Sequence, residues 1–568
     1  MPPGKKRQGE GASTAQRPKC RRGGLGGRHA PAIETSDPGT PLPNDDDDHH
    51  HRHQEEEEDH QCLELKENEE LSLEGVARVR VSEGCLLVGG YLLAPDKGSV
   101  TLCGNVSVGW PLRCRPVFRG EYKGPGRPER CVVSLEDVGR DRVSGIAYTP
   151  GSTSRSTYQH RVLKAGGAGS SPSSSSSPGG WGDCLKEVAA ELSEGCETSE
   201  SLADFTALVC GPKNAGKSTF CRELVNTLLN SNPVVAYLET DCGQPEFSPP
   251  GSVSLTFVAS PIAGPPFMHP RKPERACFVG DTTPKSDPVL YFNSVVHLMD
   301  WYAAHGLGAL RSRNLAPLVV NTPGWVKGLG FEILDRMVRQ IQPKHVVQLC
   351  TNTGKDLPRE QADWRGLGLS LYYPPAHEHN APSGVSAVDM RSLMWLSFCH
   401  QCAGTGTPMD LSATTQELFS QAASSLCGCL PYRVNLDLLK VVSASTFEFP
   451  SRMLPGVLNG SLVGLAEGSG GGEDEDSGAT TCYPFVGFGL VRSVDPGSGD
   501  IFVLTNAKLA DLRRVGALVL GSVQLPQQLL QNEAYQSPYV AQGTLTGDGI
   551  GAGVIKGRNN MRRGRLST

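Results

Sequence analysis

The sequence predicts an α/β protein in which a central domain with a parallel sheet is flanked by N-terminal and C-terminal β-rich domains and preceded by a disordered tail. Three observations predict this fold class. A glycine-rich loop separates an apolar run at residues 205–210 from a segment with apolar residues at helical spacing. Strand-like and helix-like segments alternate from about 200 to 405, which is typical of βαβ units. Alternating or glycine-interrupted β patterns occupy residues 70–160 and the region after 430.

The glycine-rich loop fits the complete phosphate-binding pattern G-x-x-x-x-G-K-[ST]. Backbone N–H groups of such a loop surround anionic oxygens, and the following helix adds the positive end of its dipole. We expect Lys217 to neutralise the β- and γ-phosphates of a nucleoside triphosphate and Ser218 to hold Mg²⁺. A glycine turn that binds nothing is the alternative. The predicted nucleotide-binding residues are Gly211, Pro212, Lys213, Asn214, Ala215, Gly216, Lys217, Ser218 and Thr219.

Two carboxylates follow the apolar run at residues 234–238, where a parallel strand would end beside the phosphate loop. Asp241 is expected to orient Mg²⁺ or to accept the proton of an attacking hydroxyl, with Glu239 assisting as a second catalytic acid. A role as a strand-end cap is the alternative for this pair.

Two turns provide candidate contacts to an acceptor substrate. Trp325 follows Pro323 and Gly324 after an apolar run, which favours stacking on a base, although anchoring of the turn in the core is the alternative. Asp281 and Thr282 lie in the polar turn GDTTP, which is predicted to open a helix. Their N–H groups and hydroxyls would bind a substrate phosphate, but Asp281 as a simple N-cap is an equally good interpretation.

Together these segments resemble the polynucleotide 5′-hydroxyl kinases, through GPKNAGKST, LETDCGQPEFSPPGSVSL, GDTTP and NTPGWVKGLG. The stretch GQPEFSPPG is similar to the nucleolar, pre-rRNA-processing branch. The resemblance implies three domains and transfer of the γ-phosphoryl group of ATP to the 5′-hydroxyl of RNA, with Mg²⁺. It places the nucleotide at the glycine loop and assigns Asp241 and Gln244 to the second acidic motif. It assigns the clasp on the terminal nucleotides to Thr322, Pro323, Gly324 and Trp325.

The resemblance also implies partners: RNA with 5′-hydroxyl ends, a pre-rRNA endonuclease and pre-60S processing factors in the nucleus and nucleolus. Basic clusters at residues 5–7 and 19–22 agree with nuclear targeting. The sequence departs from the family in lacking an R-x-x-x-R lid pair after residue 380, where Arg391 stands alone, and in having Glu239 where aspartate is common. The alternative function is a nucleotide-binding scaffold or NTPase switch that recruits the endonuclease without phosphorylating RNA.

Composition limits the remaining possibilities. A net charge of −6 means that any nucleic-acid site is a local patch. No run of about 18 apolar residues is present, so we expect no membrane association. The 18 cysteines are scattered and fit free thiols, and zinc binding by Cys399, Cys402, Cys427 and Cys429 is the less favoured interpretation. The expected organisation is a disordered tail (1–65), an N-terminal β domain (66–165), a Ser/Gly-rich linker (166–182), a phosphate-loop kinase domain (183–410) and a C-terminal β-rich domain (411–568).

Overall fold

A computed structural model describes most of the chain between residues 61 and 529, and all of the described residues belong to one compact unit, Glu57–Thr568. The predicted N-terminal tail up to residue 60, the Ser/Gly-rich stretch, the acidic segment at 469–481 and the basic C-terminal tail lie outside the described residues. The described ranges are 61–66, 69, 71–104, 113–116, 131–137, 160–164, 180–198, 201–309, 316–351, 354, 356–357, 364–376, 386–403, 415–444, 454–468, 482–526 and 529.

The first part of the described chain forms an eight-stranded antiparallel sheet. Its strands are β1 (Gln61–Leu65), β2 (Leu71–Glu83), β3 (Leu86–Val88), β4 (Tyr91–Leu93), β5 (Ser99–Gly104), β6 (Arg113–Pro116), β7 (Cys131–Asp137) and β8 (His160–Lys164). The alternation around Ala77, Val79 and Val81 is confirmed, because these residues are buried. The disordered tail was predicted to extend to residue 65, and this is wrong for β1, which pairs with β7 and buries Leu65 completely.

The central part is the predicted α/β domain, built on a seven-stranded sheet. Its strands are β9 (Thr206–Cys210), β10 (Val235–Glu239), β11 (Ser252–Val258), β12 (Arg275–Phe278), β13 (Leu318–Asn321), β14 (His345–Gln348) and β15 (Ser370–Tyr372). They lie in the order β12-β11-β10-β13-β9-β14-β15, and the last five are parallel, which confirms the predicted sheet. The antiparallel strands β11 and β12, which the sequence did not predict, extend one edge.

Helices cover the sheet because parallel strands need both faces buried. Every residue of β9, β10, β13 and β14 is buried. The helices of this domain are α1 (Gly182–Thr198), α2 (Lys217–Leu228), α3 (Pro288–Ala309) and α4 (Leu329–Ile341). Leu334, Val338 and Ile341 recur at helical spacing and lie on the buried face of α4. Consequently β9 lies within a sheet whose faces are covered, and α2, which follows the phosphate loop, is one of the helices that pack on it.

The N-terminal sheet contacts α2 directly. Asn226 Nδ2 donates to the carbonyl of Gly89 at 3.0 Å, and Asn230 donates to Gly90 O at 2.9 Å while accepting from Leu92 N at 2.8 Å. A single apolar cluster joins the inner residues of this sheet to those of α1 and α2. The first sheet is therefore fastened to the helix that begins at the phosphate loop.

One buried histidine predicts how stability responds to acid. His345 begins β14 and is 0 % exposed, and its ring nitrogens have no hydrogen-bond partner in the described part of the chain, although a carboxylate oxygen of Glu191 lies 3.7 Å from Nε2. Burial, together with the charge of Lys344, lowers the pKa of His345 to about 4. As the pH decreases from about 6.5 to 4, the unfolded chain therefore binds a proton at this histidine and the folded chain does not. The free energy of unfolding then falls by up to about 1.4 kcal/mol for each unit of decrease in pH.

We expect His345→Phe to flatten this acid slope in urea unfolding, whereas a change at the exposed His305 (His305→Gln) leaves it unchanged. An unaltered slope in His345→Phe would show that His345 binds its proton as readily in the folded protein as in the unfolded chain.

The C-terminal part forms a six-stranded sheet in the order β16-β20-β19-β18-β21-β17. Its strands are β16 (Tyr432–Asn435), β17 (Lys440–Ser443), β18 (Leu462–Glu467), β19 (Phe485–Asp495), β20 (Asp500–Leu504) and β21 (Val515–Leu520), with helices α5 (Ala387–Ala403), α6 (Thr415–Gly428), α7 (Leu454–Leu458) and α8 (Leu509–Leu512) nearby in sequence. Trp395 and Phe398 of α5 contact Phe488 of β19, so α5 shares the core of this sheet. None of the helices that the structure describes combines the length and apolar character needed to span a bilayer.

Candidate nucleotide and acceptor site

The phosphate loop adopts backbone angles that favour its sequence. Gly211 and Gly216 have φ of 146° and 94°, and Asn214 has φ of 65°. A methyl group on Gly211 would lie 2.8 Å from the carbonyl oxygen of Leu349, so only glycine fits where the loop passes the end of β14. α2 begins at Lys217 without a side-chain cap, which leaves the first N–H groups of α2 available to an anion.

Lys217 lies inside the curve of the loop. Its side chain is 7 % exposed, and its Nζ donates to the carbonyl of Pro212 at 3.0 Å. Burial lowers the pKa of Lys217, and the negative charges of Asp241 and Glu239 oppose this shift. The structure thus brings the predicted lysine and both predicted carboxylates into one electrostatic environment.

Glu239 ends β10 and is buried at the centre of a polar network. Its carboxylate accepts from Asn321 Nδ2 at 2.9 Å, from Asp241 N at 2.8 Å and from Glu246 N at 3.1 Å. Burial raises the pKa of Glu239 well above its ordinary value, the charge of Asp241 adds to the increase, and the two backbone donors oppose it. Glu239 is 1 % exposed, so its carboxylate is closed to solvent.

Asp241 is half-buried and begins the turn that follows β10. Its Oδ1 accepts from Gly243 N at 3.0 Å and from Gln244 N at 3.2 Å, which fixes the direction of the carboxylate. The side chain of Gln244 is exposed beside it. Asp241 is therefore the more accessible of the two predicted acids.

Asn321 connects the acids to the phosphate loop. It ends β13, and its Nδ2 lies 3.5 Å from Ser218 Oγ as well as 2.9 Å from Glu239 Oε1. The neighbouring Thr322 is buried, and its hydroxyl donates to Val209 O of β9 at 2.8 Å. Sequence reasoning missed Asn321 itself, although its place before the Thr-Pro-Gly-Trp turn was available as a signal.

Glu246 is a second residue that sequence reasoning missed. It is 1 % exposed, forms an ion pair with Arg222 of α2 at 2.8 Å and shares a hydrogen bond with His269 Nε2 at 2.9 Å. Arg222 and His269 lower the pKa of the Glu246 carboxyl, although burial acts in the opposite direction. Because Glu246 N also donates to Glu239, this cluster links α2 to the acidic turn.

The turn that carries Trp325 lies against the phosphate loop. A methyl group on Gly324 would be 2.7 Å from Lys213 Cα, so the two backbones are in contact. Pro323 and Trp325 are half-buried. The indole packs against Gly330 at the start of α4, and the exposed Lys285 places its Nζ 4.9 Å from the ring centroid. The predicted core-anchor role therefore accounts for only part of the indole surface.

The GDTTP turn is beside the acidic turn, because a methyl group on Gly243 would lie 2.5 Å from Thr282 O. The prediction that GDTTP opens a helix, with Asp281 as N-cap, is wrong. α3 begins at Pro288, and Asp287 caps it by accepting from Leu290 N at 2.9 Å. Asp281 Oδ2 instead accepts from Ser286 Oγ at 2.5 Å and from Ser522 Oγ at 2.6 Å.

Two features noted in the sequence, Arg391 and the cysteine group between residues 399 and 429, do not belong to this site. Arg391 lies in α5, whose neighbours belong to the core of the C-terminal sheet, and residues 377–385 lie outside the described part. Cys399, Cys402, Cys427 and Cys429 are all free thiols, and within the described part of the chain they do not converge as metal ligands. Both Cys427 O and Cys429 O accept from Arg492, at 2.7 Å each.

The residues at the loop fit a triphosphate and a hard divalent cation. The loop backbone has the concave left-handed glycine geometry that binds phosphates, and Lys217 already donates to an oxygen within it. Ser218 Oγ and the Asp241 carboxylate are oxygen donors of the type that Mg²⁺ prefers.

Fold and site together define a phosphate-loop nucleotide-binding protein. Residues 211–396 match the family described as the mRNA cleavage and polyadenylation factor CLP1 P-loop, and residues 427–526 match the NOL9-like C-terminal domain. The structure is similar to that of a wild-type Clp1p–Pcf11p complex, with a TM-score of 0.53, 16 % identity and coverage of 82 % of this chain and 98 % of the other. That likeness supports the fold alone.

Sequence relatives identify the family. The chain is 35 % identical over 356 residues to polynucleotide 5′-hydroxyl-kinase NOL9 of Arabidopsis thaliana, covering 61 % of this chain and 92 % of the relative. It is 33 % identical to the Danio rerio protein and 28 % identical to the Homo sapiens protein of the same name, and it spans about half the length of each (47 % and 52 %). The chain belongs to the polynucleotide 5′-hydroxyl-kinase family that includes NOL9, as the resemblance of its motifs predicted.

Proposed function

We propose that this protein is an ATP-dependent kinase that phosphorylates the 5′-hydroxyl ends of RNA during pre-rRNA processing. The observation that carries the proposal is the contact between the Trp325 turn and the phosphate loop, where a methyl group on Gly324 would meet Lys213 Cα at 2.7 Å. An acceptor held by this turn and a nucleotide held by the loop would be adjacent, which is the requirement for direct phosphoryl transfer.

The donor side consists of the loop and the start of α2. The backbone N–H groups of residues 211–219 would bind the β- and γ-phosphates of ATP, and Lys217 would exchange its bond to Pro212 O for a phosphate oxygen. Ser218 and Asp241 would hold Mg²⁺, which supplies positive charge at the transferring phosphoryl group. Asn321 positions Ser218 through its Nδ2.

The acceptor side consists of the acidic turn and the two polar turns. Asp241, fixed by the N–H groups of Gly243 and Gln244, would accept or orient the proton of the 5′-hydroxyl. Glu239 would act as a positioning residue, because its carboxylate is occupied by Asn321 and two backbone donors. Gln244, Asp281 and Thr282 would line the pocket for the terminal nucleotides, and Thr322, which is buried and donates to Val209 O, would support the turn from beneath.

Trp325 is expected to act in RNA capture. A base that stacks on the indole would take the place of the Lys285 ammonium, which would then lie beside the nucleic-acid backbone. Since stacking contributes about 1–3 kcal/mol per base, Trp325→Ala should raise the KM for a 5′-hydroxyl oligoribonucleotide roughly 5- to 150-fold. The KM for ATP should change little, and Trp325→Phe should retain most of the RNA affinity.

An equal increase in both KM values for Trp325→Ala, together with a lower melting temperature, would assign the indole to the structure of the turn.

One assay tests the function as a whole. ATP labelled on the γ-phosphate is incubated with the full chain and a 5′-hydroxyl oligoribonucleotide, and the same oligonucleotide with a 5′-phosphate serves as the control. Label on the 5′-hydroxyl RNA supports the kinase. Label only on inorganic phosphate would identify an NTPase, and the absence of turnover together with nucleotide binding would identify a scaffold.

The wider assignments belong to the same proposal. We propose a pre-rRNA endonuclease and pre-60S processing factors as partners, and a nucleolar location within the nucleus. The names of the relatives and the NOL9-like C-terminal match support this placement. The proposed domains are 61–165, which adds β1 to the predicted 66–165, followed by 183–410 and 411–568, and each contains the strands of one of the three sheets.

A further inference from the structure

Three side chains with metal-ligating atoms meet away from the phosphate loop. Cys277 of β12, His297 of α3 and Cys482, which precedes β19, place one ligand atom each within 4.8 Å of one another. Cys277 is 0 % exposed, and Cys482 packs against the same apolar cluster as Cys277. His297 Nε2 is buried, and the polar group beside it is the Cys482 thiol.

The three ligand positions are fixed by ordered backbone. Cys277 forms an antiparallel bridge with Pro484, and Phe278 N donates to Tyr483 O at 2.8 Å. This pairing holds Cys482 opposite β12, while α3 packs on β12 and places His297 next to both sulfurs. Because each ligand is on a different element, the cluster joins two elements of the central domain to the start of β19.

Two thiolates and one imidazole are a donor set that selects zinc among the common divalent cations. Zn²⁺ with two thiolates is electrically neutral, which suits a site where Cys277 is buried and the other two ligands are half-buried. Bond lengths of about 2.3 Å to sulfur and 2.0 Å to nitrogen in a tetrahedron place the ligand atoms about 3.5–3.8 Å apart. The observed limit of 4.8 Å needs only small side-chain movements to reach these values.

We propose that Cys277, His297 and Cys482 bind one Zn²⁺ ion, with water as the fourth ligand, and that this ion clamps the C-terminal sheet to the central sheet. The proposal does not depend on RNA phosphorylation. It also differs from the zinc candidate that the sequence offers, since the Cys399, Cys402, Cys427 and Cys429 group lacks this convergence in the described structure.

The experiment measures metal in the full chain purified without chelators and dialysed against metal-free buffer. We expect about one zinc per chain by inductively coupled plasma mass spectrometry. Loss of an outer-shell partner weakens metal binding roughly 10- to 100-fold, and loss of a direct ligand should weaken it at least as much. We expect this loss of zinc affinity in each of three variants, Cys277→Ser, His297→Ala and Cys482→Ser. The matched control, Cys402→Ser combined with Cys427→Ser, should retain zinc fully.

A measurement on the unmodified protein keeps the test independent of the folding of the variants. Exchange of Co²⁺ into the chain should give thiolate-to-metal absorption in the near ultraviolet and the visible bands of a tetrahedral ion. Absence of zinc together with absence of these bands would overturn the proposal. Copper in place of zinc, a Cys277–Cys482 disulfide in non-reducing peptide mapping, or equal zinc loss in the control variant would also overturn it.

Discussion

Replacing Lys217 with alanine is expected to abolish phosphoryl transfer while the fold remains intact. Lys217 is the buried cation of the loop, and its only hydrogen bond among the described residues is to Pro212 O. Loss of a fixed positive charge at the transferring group costs at least about 10³-fold in kcat by analogy with other preorganised transition-state donors. Single-turnover transfer of γ-phosphate to 5′-hydroxyl RNA measures the effect.

Lys217→Met is the matched variant because it preserves the volume of the buried chain. Burial already disfavours the Lys217 charge and lowers its pKa, so methionine should not lower the melting temperature of the nucleotide-free protein. ATP should raise the melting temperature of the wild type and have much less effect on this variant. Normal kinase activity in either variant would contradict the assigned role.

Asp241→Asn is expected to give the second large loss. Asparagine keeps the Oδ1 acceptor for Gly243 N and Gln244 N, so the turn should be preserved while charge and basicity disappear. Removal of a general base typically costs about 10²–10⁴-fold in rate. Steady-state kcat at saturating ATP and RNA measures this loss, with Asp287→Asn, at the start of α3, as the control.

The magnesium dependence separates the two roles of Asp241. If the carboxylate mainly holds the cation, excess Mg²⁺ should restore part of the activity of Asp241→Asn. If it mainly accepts the proton, Mg²⁺ should not restore activity, but higher pH should. A variant with wild-type kcat and an unchanged Mg²⁺ requirement would exclude Asp241 from both roles.

The phosphate loop and its surroundings could be predicted because local sequence determines them. The glycine pattern, the apolar run before it and the helical spacing after it report directly on backbone conformation. β9 and α2 accordingly appear where they were expected, at Thr206–Cys210 and Lys217–Leu228. The carboxylates after β10 were predictable for the same reason, because parallel strands end at a common edge of the sheet.

Other features depend on contacts between segments that are distant in sequence. β11 alternates Ser252 and Ser254 with apolar residues, yet nearly all of it is buried, because it is an inner strand of the sheet and α3 packs against it. The Arg222–Glu246–His269 cluster combines residues separated by 24 and 23 positions. Asp281 had the sequence features of a helix cap, but one of its two serine partners, Ser522, is 241 positions away.

The attachment of the C-terminal sheet to the GDTTP turn affects whether the regions of this enzyme can be separated during evolution. Ser522 N donates to Gly280 O at 2.6 Å, and the backbones of Gly280 and Gly521 are so close that neither tolerates a side chain. Asn226 of α2 ties the central domain to the first sheet through the carbonyl of Gly89. A gene fragment that encodes only the nucleotide-binding region would lose both sets of contacts. We therefore expect the two flanking sheets and the central domain to remain together when genes recombine during evolution.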